Sequence, residues 1–277
     1  MEPHKLCVVT GATGGIGKWI ALGMAQAGYR VVLVGRDRQR GEAALAWISG
    51  QVADCHLDLR VADLASLAAT ALLGRDIAGR YGRVDVLVLN AGVFLSRREV
   101  TAEGHEMVLA VNHLSPFVLI RELAGVLQKT APSRIVTIGS STSDHARIQP
   151  QNLELAQGWG MVRAYSQSKL AVMMTTFTWA RRLQASGVTA NVVHPGLVSS
   201  GLIRTPGVIG LAWRLLTPFS RSEQAGAETP LFVATAAEHT ATTGKYFKNC
   251  QTVAPNRLAL DEALCAQVWQ ATERLVS

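Results

Sequence analysis

Thr10-Gly11-Ala12-Thr13-Gly14-Gly15-Ile16-Gly17 stands between the apolar run Leu6–Thr10 and an amphipathic segment that begins near residue 16. A glycine-rich turn that leaves a strand and opens a helix gathers backbone N–H groups at the positive end of the helix. A pyrophosphate can be held there. The glycines miss the strict GxGxxG spacing, because Ile20 stands where the third glycine is required. They fit TGxxxGxG through Gly11, Gly15 and Gly17. The same residues would also serve a turn that needs only positive φ and close helix–strand packing. The strand before and the helix after favour the nucleotide, with Gly11, Thr13, Gly15, Ile16 and Gly17 as its candidate contacts.

Working outward, short Val/Ile/Leu-rich runs recur at 30–34, 84–90, 134–138 and Val188–His194. Their uncharged cores suit strands covered on both faces of a parallel sheet. Between them, segments 16–28, 39–49, 63–80, 104–129 and 163–186 carry helical periodicity with charged flanks. This alternation predicts a single-domain, Rossmann-type, doubly wound α/β parallel sheet with helices on both faces, spanning 1–277. After His194 the pattern breaks. Pro195, Pro206, Pro218 and Pro230 punctuate a region expected to cross the carboxyl ends of the strands, where such sheets bind ligands, with a substrate lid at about 200–222. The segment 258–276 reads as a closing helix. No internal repeat and no Gly/Ser linker divides the chain.

At 277 residues and 48% apolar content the chain can bury one large core. Met1-Glu2-Pro3-His4-Lys5 runs straight into an apolar strand without the features of a secretory signal. Cys7, Cys55, Cys250 and Cys265 lack CxxC spacing, so a reducing, cytoplasmic setting is expected. The net charge of +7 is spread over short groups, Arg36-Arg38-Arg40, Arg97-Arg98 and Arg181-Arg182, with no basic stripe interleaved with aromatics. No nucleic-acid partner is expected. The apolar run 207–219 is too short to span a bilayer and is broken by Arg214, so it is read as a lid, a subunit interface or a membrane-surface contact. His113, His145 and His194 show no ligand spacing and predict no metal; His194, before Pro195, is read as a satisfied structural imidazole.

The second strand ends at Val34 and is followed by Gly35-Arg36-Asp37. A carboxylate at this point of a dinucleotide fold selects a free ribose 2′-hydroxyl, whereas an arginine accommodates a 2′-phosphate. Gly35 repels nothing and Arg36 follows, so NADP (NADPH) is expected, with NAD as the alternative if Asp37 meets the ribose. Asp37 is read instead as the N-cap of the next helix. In His56-Leu57-Asp58-Leu59, taken to follow the third strand, Asp58 and Leu59 are placed under the adenine; a turn carboxylate is the plainer reading of Asp58.

Tyr165-Ser166-Gln167-Ser168-Lys169 puts a phenol and an ammonium one helical turn apart on one face. Free tyrosine titrates near ~10, so a neutral-pH base needs roughly 3 units, or about 4 kcal/mol. One ammonium at ~4 Å supplies about that at intermediate dielectric.

With the TGxxxGxG turn, Asn90-Ala91-Gly92 closing the fourth strand, Ser140-Ser141 closing the fifth and Tyr165-xxx-Lys169 on the next helix, the chain resembles the short-chain dehydrogenase/reductase family. The match runs from about residue 6 to 201 and includes Pro195-Gly196. Trp213-Arg214-Leu215-Leu216-Thr217-Pro218-Phe219, Gly244-Lys245-Tyr246-Phe247 and Ser168-Lys169-Leu170-Ala171 resemble the retinol-dehydrogenase-like branch. The resemblance implies that Tyr165 is the acid/base and that Lys169 tunes it and binds the nicotinamide ribose. It implies that Ser141 orients the carbonyl, with Ser140 and Ser143 as neighbouring hydroxyls, and that Asn112 completes a proton relay. Asn90, Ala91, Gly92, Pro195, Gly196, Val198 and Ser200 would contact the cofactor, Ser200 replacing the usual threonine. The 24 positions from Ser141 to Tyr165 include an insertion, 142–163, expected to add wall to the pocket.

The expected activity is interconversion of a carbonyl and an alcohol on a lipophilic substrate such as a retinoid, steroid, terpenoid or polyketide-like ketone, in the reductive direction. Homodimers or homotetramers are common among such relatives. Trp159, Met161, Trp213 and Phe219 suit either pocket lining or core. The rival is a dinucleotide-binding redox sensor or interaction protein without turnover.

Overall fold

A computed structural model describes residues 4–197 and 221–277. The apolar runs form β1 (Leu6–Thr10), β2 (Arg30–Gly35), β3 (Leu57–Val61), β4 (Val86–Leu89), β5 (Ser133–Ile138), β6 (Val188–His194), β7 (Tyr246–Lys248) and β8 (Gln251–Val253). They make one sheet in the order β3-β2-β1-β4-β5-β6-β7-β8, parallel throughout except for the β7–β8 pair. The chain first winds outward from β1 to β3 and then returns to β4 on the other side of β1. That reversal opens a crevice at the carboxyl ends of β1 and β4, where a doubly wound sheet receives its ligand.

Because strand side chains alternate between faces, the sheet carries two apolar layers. Leu6, Val8, Val32, Leu87 and Leu89 face one side and Cys7, Val9, Val31, Val86 and Val88 the other. The helices α1 (Gly15–Gln26), α2 (Arg38–Ser49), α3 (Leu67–Tyr81), α4 (Met107–Thr130), α5 (Met161–Leu183), α6 (Glu223–Thr235) and α7 (Glu262–Leu275) cover these layers. Asp37 and Ser66 cap α2 and α3 by accepting from Arg40 N and Ala69 N, as Asx and Ser caps do. The helix expected at 258–276 is present as α7.

Helix α4 is long and apolar enough to cross a membrane by length and composition, but 78% of that window is buried inside the protein, as befits a core helix. Its regularity breaks at a π turn, Ala110–Leu114. Pro116 explains the break. It has no N–H to give to the Asn112 carbonyl four residues back, and its ring would press on that carbonyl in an unbroken α-helix.

Candidate active site

The glycine turn is built against the fourth strand. Gly11 has φ +66° and Gly15 φ +57°, the left-handed region that glycine enters without strain. A Cβ on Gly17 would lie 2.3 Å from the Gly11 carbonyl oxygen and 2.4 Å from Asn90 Nδ2. Asn90 Nδ2 donates to Thr10 O at 2.9 Å, and the Thr10 hydroxyl accepts from the backbone N–H groups of Asn90 and Ala91. Asn90 and Ala91 therefore brace the turn. Thr13 fills the space that Gly35 leaves at the end of β2, and Ile16 packs on the core beneath. Helix α1 begins at Gly15 with no side-chain cap, so its first N–H groups face the crevice. A dinucleotide pyrophosphate fits this cradle.

Asp37 is the N-cap that the sequence suggested, accepting from Arg40 N at 3.0 Å. Arg36 is exposed beyond the end of β2. Arg40, which no sequence motif singles out, brings its Nη2 to 2.9 Å from the point where a Cβ on Gly14 would stand. Three arginines, Arg36, Arg38 and Arg40, thus crowd the positive end of α2, which has no acidic residue in its first turn. Cations there are unfavourable by roughly 0.3–1 kcal/mol each, and a bound anion reverses that sign.

Asp58 and Leu59 do not follow the third strand as expected. Strand β3 begins at Leu57, so both sit in its body, three and two residues short of its carboxyl end at Val61. Asp58 pairs with Arg30 at 2.8 Å, and Leu59 packs against Gly41 of α2. The carboxyl-end position belongs to Asp63 and Leu64. Asp63 accepts from Ala65 N at 3.0 Å to shape that turn.

Tyr165 and Lys169 project from α5 into the crevice, 9% and 4% exposed. The Lys169 ammonium donates to the Ile138 carbonyl at 2.8 Å and lies 5.8 Å from the Tyr165 ring centre. It also sits near Gly92, which closes the turn after β4. The expected pull of Tyr165 toward neutrality is not seen. Burial drives its pKa up to about 12, opposed in part by a hydrogen bond with the Ser140 side chain. Burial alone brings Lys169 down to about 8. Desolvation outweighs the Coulomb attraction because the cation stands back from the phenol and is itself stripped of water.

The hydroxyl that meets the phenol is therefore that of Ser140. Ser141 is exposed and opens a short 3-10 turn, Ser141–Ser143, and Ser143 spends its hydroxyl on Ser140 O at 2.6 Å. Asn112 sits in the π turn. Its Oδ1 accepts from Val93 N at 2.8 Å, and its Nδ2 donates to Val93 O at 3.0 Å and Ser168 Oγ at 3.1 Å. Ser168 in turn donates to Tyr165 O at 2.8 Å. The Asn112 side chain is thus a clasp between the loop after β4 and the tyrosine helix.

Apolar walls surround the phenol. Phe94 meets Tyr165 edge-on with ring centres 4.9 Å apart, and Val108, Leu155 and Ala164 pack about it with Val93, Leu95 and Trp159. The insertion is latched to α4 through Glu106. One carboxylate oxygen accepts from Leu109 N at 2.7 Å and the other from Trp159 Nε1 at 3.1 Å. Farther along, Asn256 Nδ2 donates to Ser143 O and Ala146 O at 2.8 and 2.9 Å.

Pro195 and Gly196 follow β6 at the crevice, Gly196 with φ +89°. Val198, Ser200, Trp213, Phe219 and the segment 207–219 lie outside the described residues. The His194 imidazole is not satisfied as expected. Its Nδ1 is buried without a hydrogen-bond partner among the described residues, and burial, with Lys248 and Arg221 nearby, lowers its pKa to about 4.

A family model described as short chain dehydrogenase matches residues 5–205. Retinol dehydrogenase 13 of Homo sapiens is 36% identical, over 99% of this chain and 85% of that relative. Retinol dehydrogenase 11 of Mus musculus is 35% identical, over 98% and 85%. Among solved structures, a short chain dehydrogenase from Burkholderia cenocepacia J2315 in complex with NADP superposes with TM-score 0.71 at 27% identity, covering 88% of this chain and 95% of its own. An uncharacterized protein from Mycobacterium Paratuberculosis gives TM-score 0.79 at 27% identity, covering 98% and 93%.

Proposed function

This chain belongs to the short-chain dehydrogenase family and is an oxidoreductase of retinol-dehydrogenase-like type, and from that premise we propose that it uses NADPH to reduce a carbonyl on a lipophilic substrate. The observation that carries the proposal is a neutral phenol in an apolar pocket. Tyr165, with its pKa up at about 12, is a proton donor throughout the physiological range. A group that must protonate a developing alkoxide has to hold its proton until the charge appears.

The dinucleotide, when bound, supplies the hydride. The protein's own residues do the rest. The α1 N-terminus and the glycine turn hold the pyrophosphate, and Arg36 with Arg40 meets the 2′-phosphate, in keeping with the similar Burkholderia dehydrogenase in complex with NADP. Lys169, cationic below about pH 8, holds the nicotinamide ribose and its charge steadies the phenolate that remains after proton transfer. Ser140 donates to the substrate oxygen, a bond that strengthens as negative charge grows there. Asn112 fixes the relative placement of Val93 and α5, and Pro116 keeps its carbonyl off the α-helical ladder and available to the proton relay. Phe94, Leu95 and Trp159 favour an apolar ketone or aldehyde such as a retinoid, steroid, terpenoid or polyketide-like carbonyl. The free cysteines among the described residues suit a reducing compartment, which we read as the cytoplasm.

The test is NADPH oxidation measured against a panel of apolar aldehydes and ketones, with Tyr165→Phe beside wild type. Turnover of at least one apolar carbonyl, reduced by two or more orders of magnitude in the variant, is expected (roughly 10²–10⁴-fold for a lost acid/base). A variant that keeps a tenth of the wild-type rate removes Tyr165 from the role.

A further inference from the structure

His113 is fully buried in the same π turn as Asn112 and faces the C-terminal helix, where its Nε2 lies 2.8 Å from Thr272 Oγ1. The Thr272 hydroxyl gives its own proton to Val268 O at 2.7 Å. It can therefore only accept from His113, so the imidazole proton sits on Nε2. Burial pushes the imidazole pKa down to about 3, so this donor state holds across the working pH range. A continuous chain of contacts follows: Thr272 to His113, through one peptide unit to Asn112, from Asn112 to Val93 and Ser168, and from Ser168 to the Tyr165 carbonyl.

We propose that His113 is a positioning residue and that α7, through the Thr272 hydroxyl, sets the orientation of Asn112 and hence the register between the loop after β4 and Tyr165. The π turn replaces the i→i−4 ladder with wider i→i−5 bonds, such as Ser115 N to Ala110 O, and the external hydrogen bond one residue from Asn112 adds a constraint on its rotation. His113 touches neither substrate nor cofactor, and its part in turnover rests on the activity proposed above.

The test uses four single variants of the full chain, Thr272→Val, Thr272→Ser, His113→Phe and His113→Gln, compared at a temperature where circular dichroism shows each folded. Serine keeps the accepting hydroxyl, and glutamine places an amide N–H close to the position of Nε2. Hydrogen exchange is read on peptides covering residues 90–95 and 108–116. Thr272→Val and His113→Phe should speed exchange in both peptides, including the Val93 amide bound by Asn112, while Thr272→Ser and His113→Gln should match wild type. In turnover, the first pair should lower kcat about tenfold, the worth of one buried hydrogen bond, with KM for NADPH unchanged, and the second pair should restore it. Unchanged exchange at 90–95 in Thr272→Val overturns the proposal, as does faster exchange with full kcat, or a serine variant as impaired as the valine one. Tyr165→Phe, assayed alongside, separates the two readings: if it keeps its rate the proposed chemistry fails, and the exchange comparison, which needs no turnover, still decides the role of His113.

Discussion

The Ser140 side chain, not that of Ser141, hydrogen-bonds the Tyr165 phenol and works against the burial that raises its pKa. The two serines are adjacent in sequence yet differ in kind. Ser140 ends the extended run from β5 and points into the crevice, whereas Ser141 starts the exposed turn. Ser140→Ala should lower kcat by roughly 10²–10³-fold, as removal of an oxyanion donor does, and Ser141→Ala should stay within about twofold of wild type. Steady-state kinetics on both variants decide the assignment, and a reversal of the two effects would falsify it.

Cofactor choice should rest on two arginines. A charge-assisted hydrogen bond is worth roughly 1.5–3 kcal/mol, so Arg36→Ala and Arg40→Ala should each cut the NADPH-over-NADH ratio of kcat/KM by about tenfold or more. Each should weaken NADPH while sparing NADH. If Arg40→Ala leaves the ratio intact, its position over Gly14 is incidental and Arg36 acts alone.

Lys169 gives the activity an alkaline limb. Its pKa is lowered from 10.5 to about 8, so the cation is present below that pH and lost above it. The value of kcat/KM should be flat on the acid side and fall with unit slope as pH rises through about 8; Lys169→Met should abolish the bend at a lower level. The sign for stability is opposite. Between about 8 and 10.5 the unfolded chain holds a proton on this lysine that the folded chain does not, so folding gains from rising pH there. Activity lost at pH 9 together with an undiminished melting temperature is the expected signature, and a loss that tracks unfolding would refute it.

One buried and one half-buried imidazole should make the fold acid-sensitive well above the carboxylate range. His113 and His194 have pKa values lowered from 6.5 to about 3 and about 4. Above 6.5 both states are neutral and nothing is gained or lost. Below it the unfolded chain takes up protons that the folded chain refuses, and each histidine removes about 1.4 kcal/mol per pH unit until its folded pKa is reached. Urea midpoints at pH 7, 5.5 and 4.5 should fall, and His113→Gln should flatten that fall by about half. Parallel curves for variant and wild type would show that neither burial nor charge at His113 contributes.

The alternation of uncharged strands and amphipathic helices was readable because interior strands of a parallel sheet are covered on both faces. Strand β3 escaped that reading for the same reason. It lies at the sheet edge, where Leu57, Leu59 and Val61 alternate with Asp58 and Arg60, and the charges made the segment look like a loop. The structure puts Asp58 and Leu59 in the body of that strand and Asp63 and Leu64 past its carboxyl end. For the serine pair, motif and composition cannot say which hydroxyl turns inward once the chain leaves a strand. Arg40 had left a trace, since the Asp37 cap fixes where α2 starts. The contact between His113 and Thr272 joins residues 159 apart and left none.

Glu106 holds the start of α4 with one oxygen and the indole of Trp159 with the other, while Asn256 pins the chain at Ser143 and Ala146. The stretch between those two anchors is thus a span fixed at both ends, and Tyr165 lies beyond its second abutment. Within it Ile148, Leu153 and Leu155 are buried, and Gln167 of the tyrosine helix donates to the Asn152 and Leu153 carbonyls, so the middle of the span is tied to α5 as well. Only its exposed positions, Arg147, Gln151 and Gln157 among them, can be exchanged without dragging the tyrosine out of line.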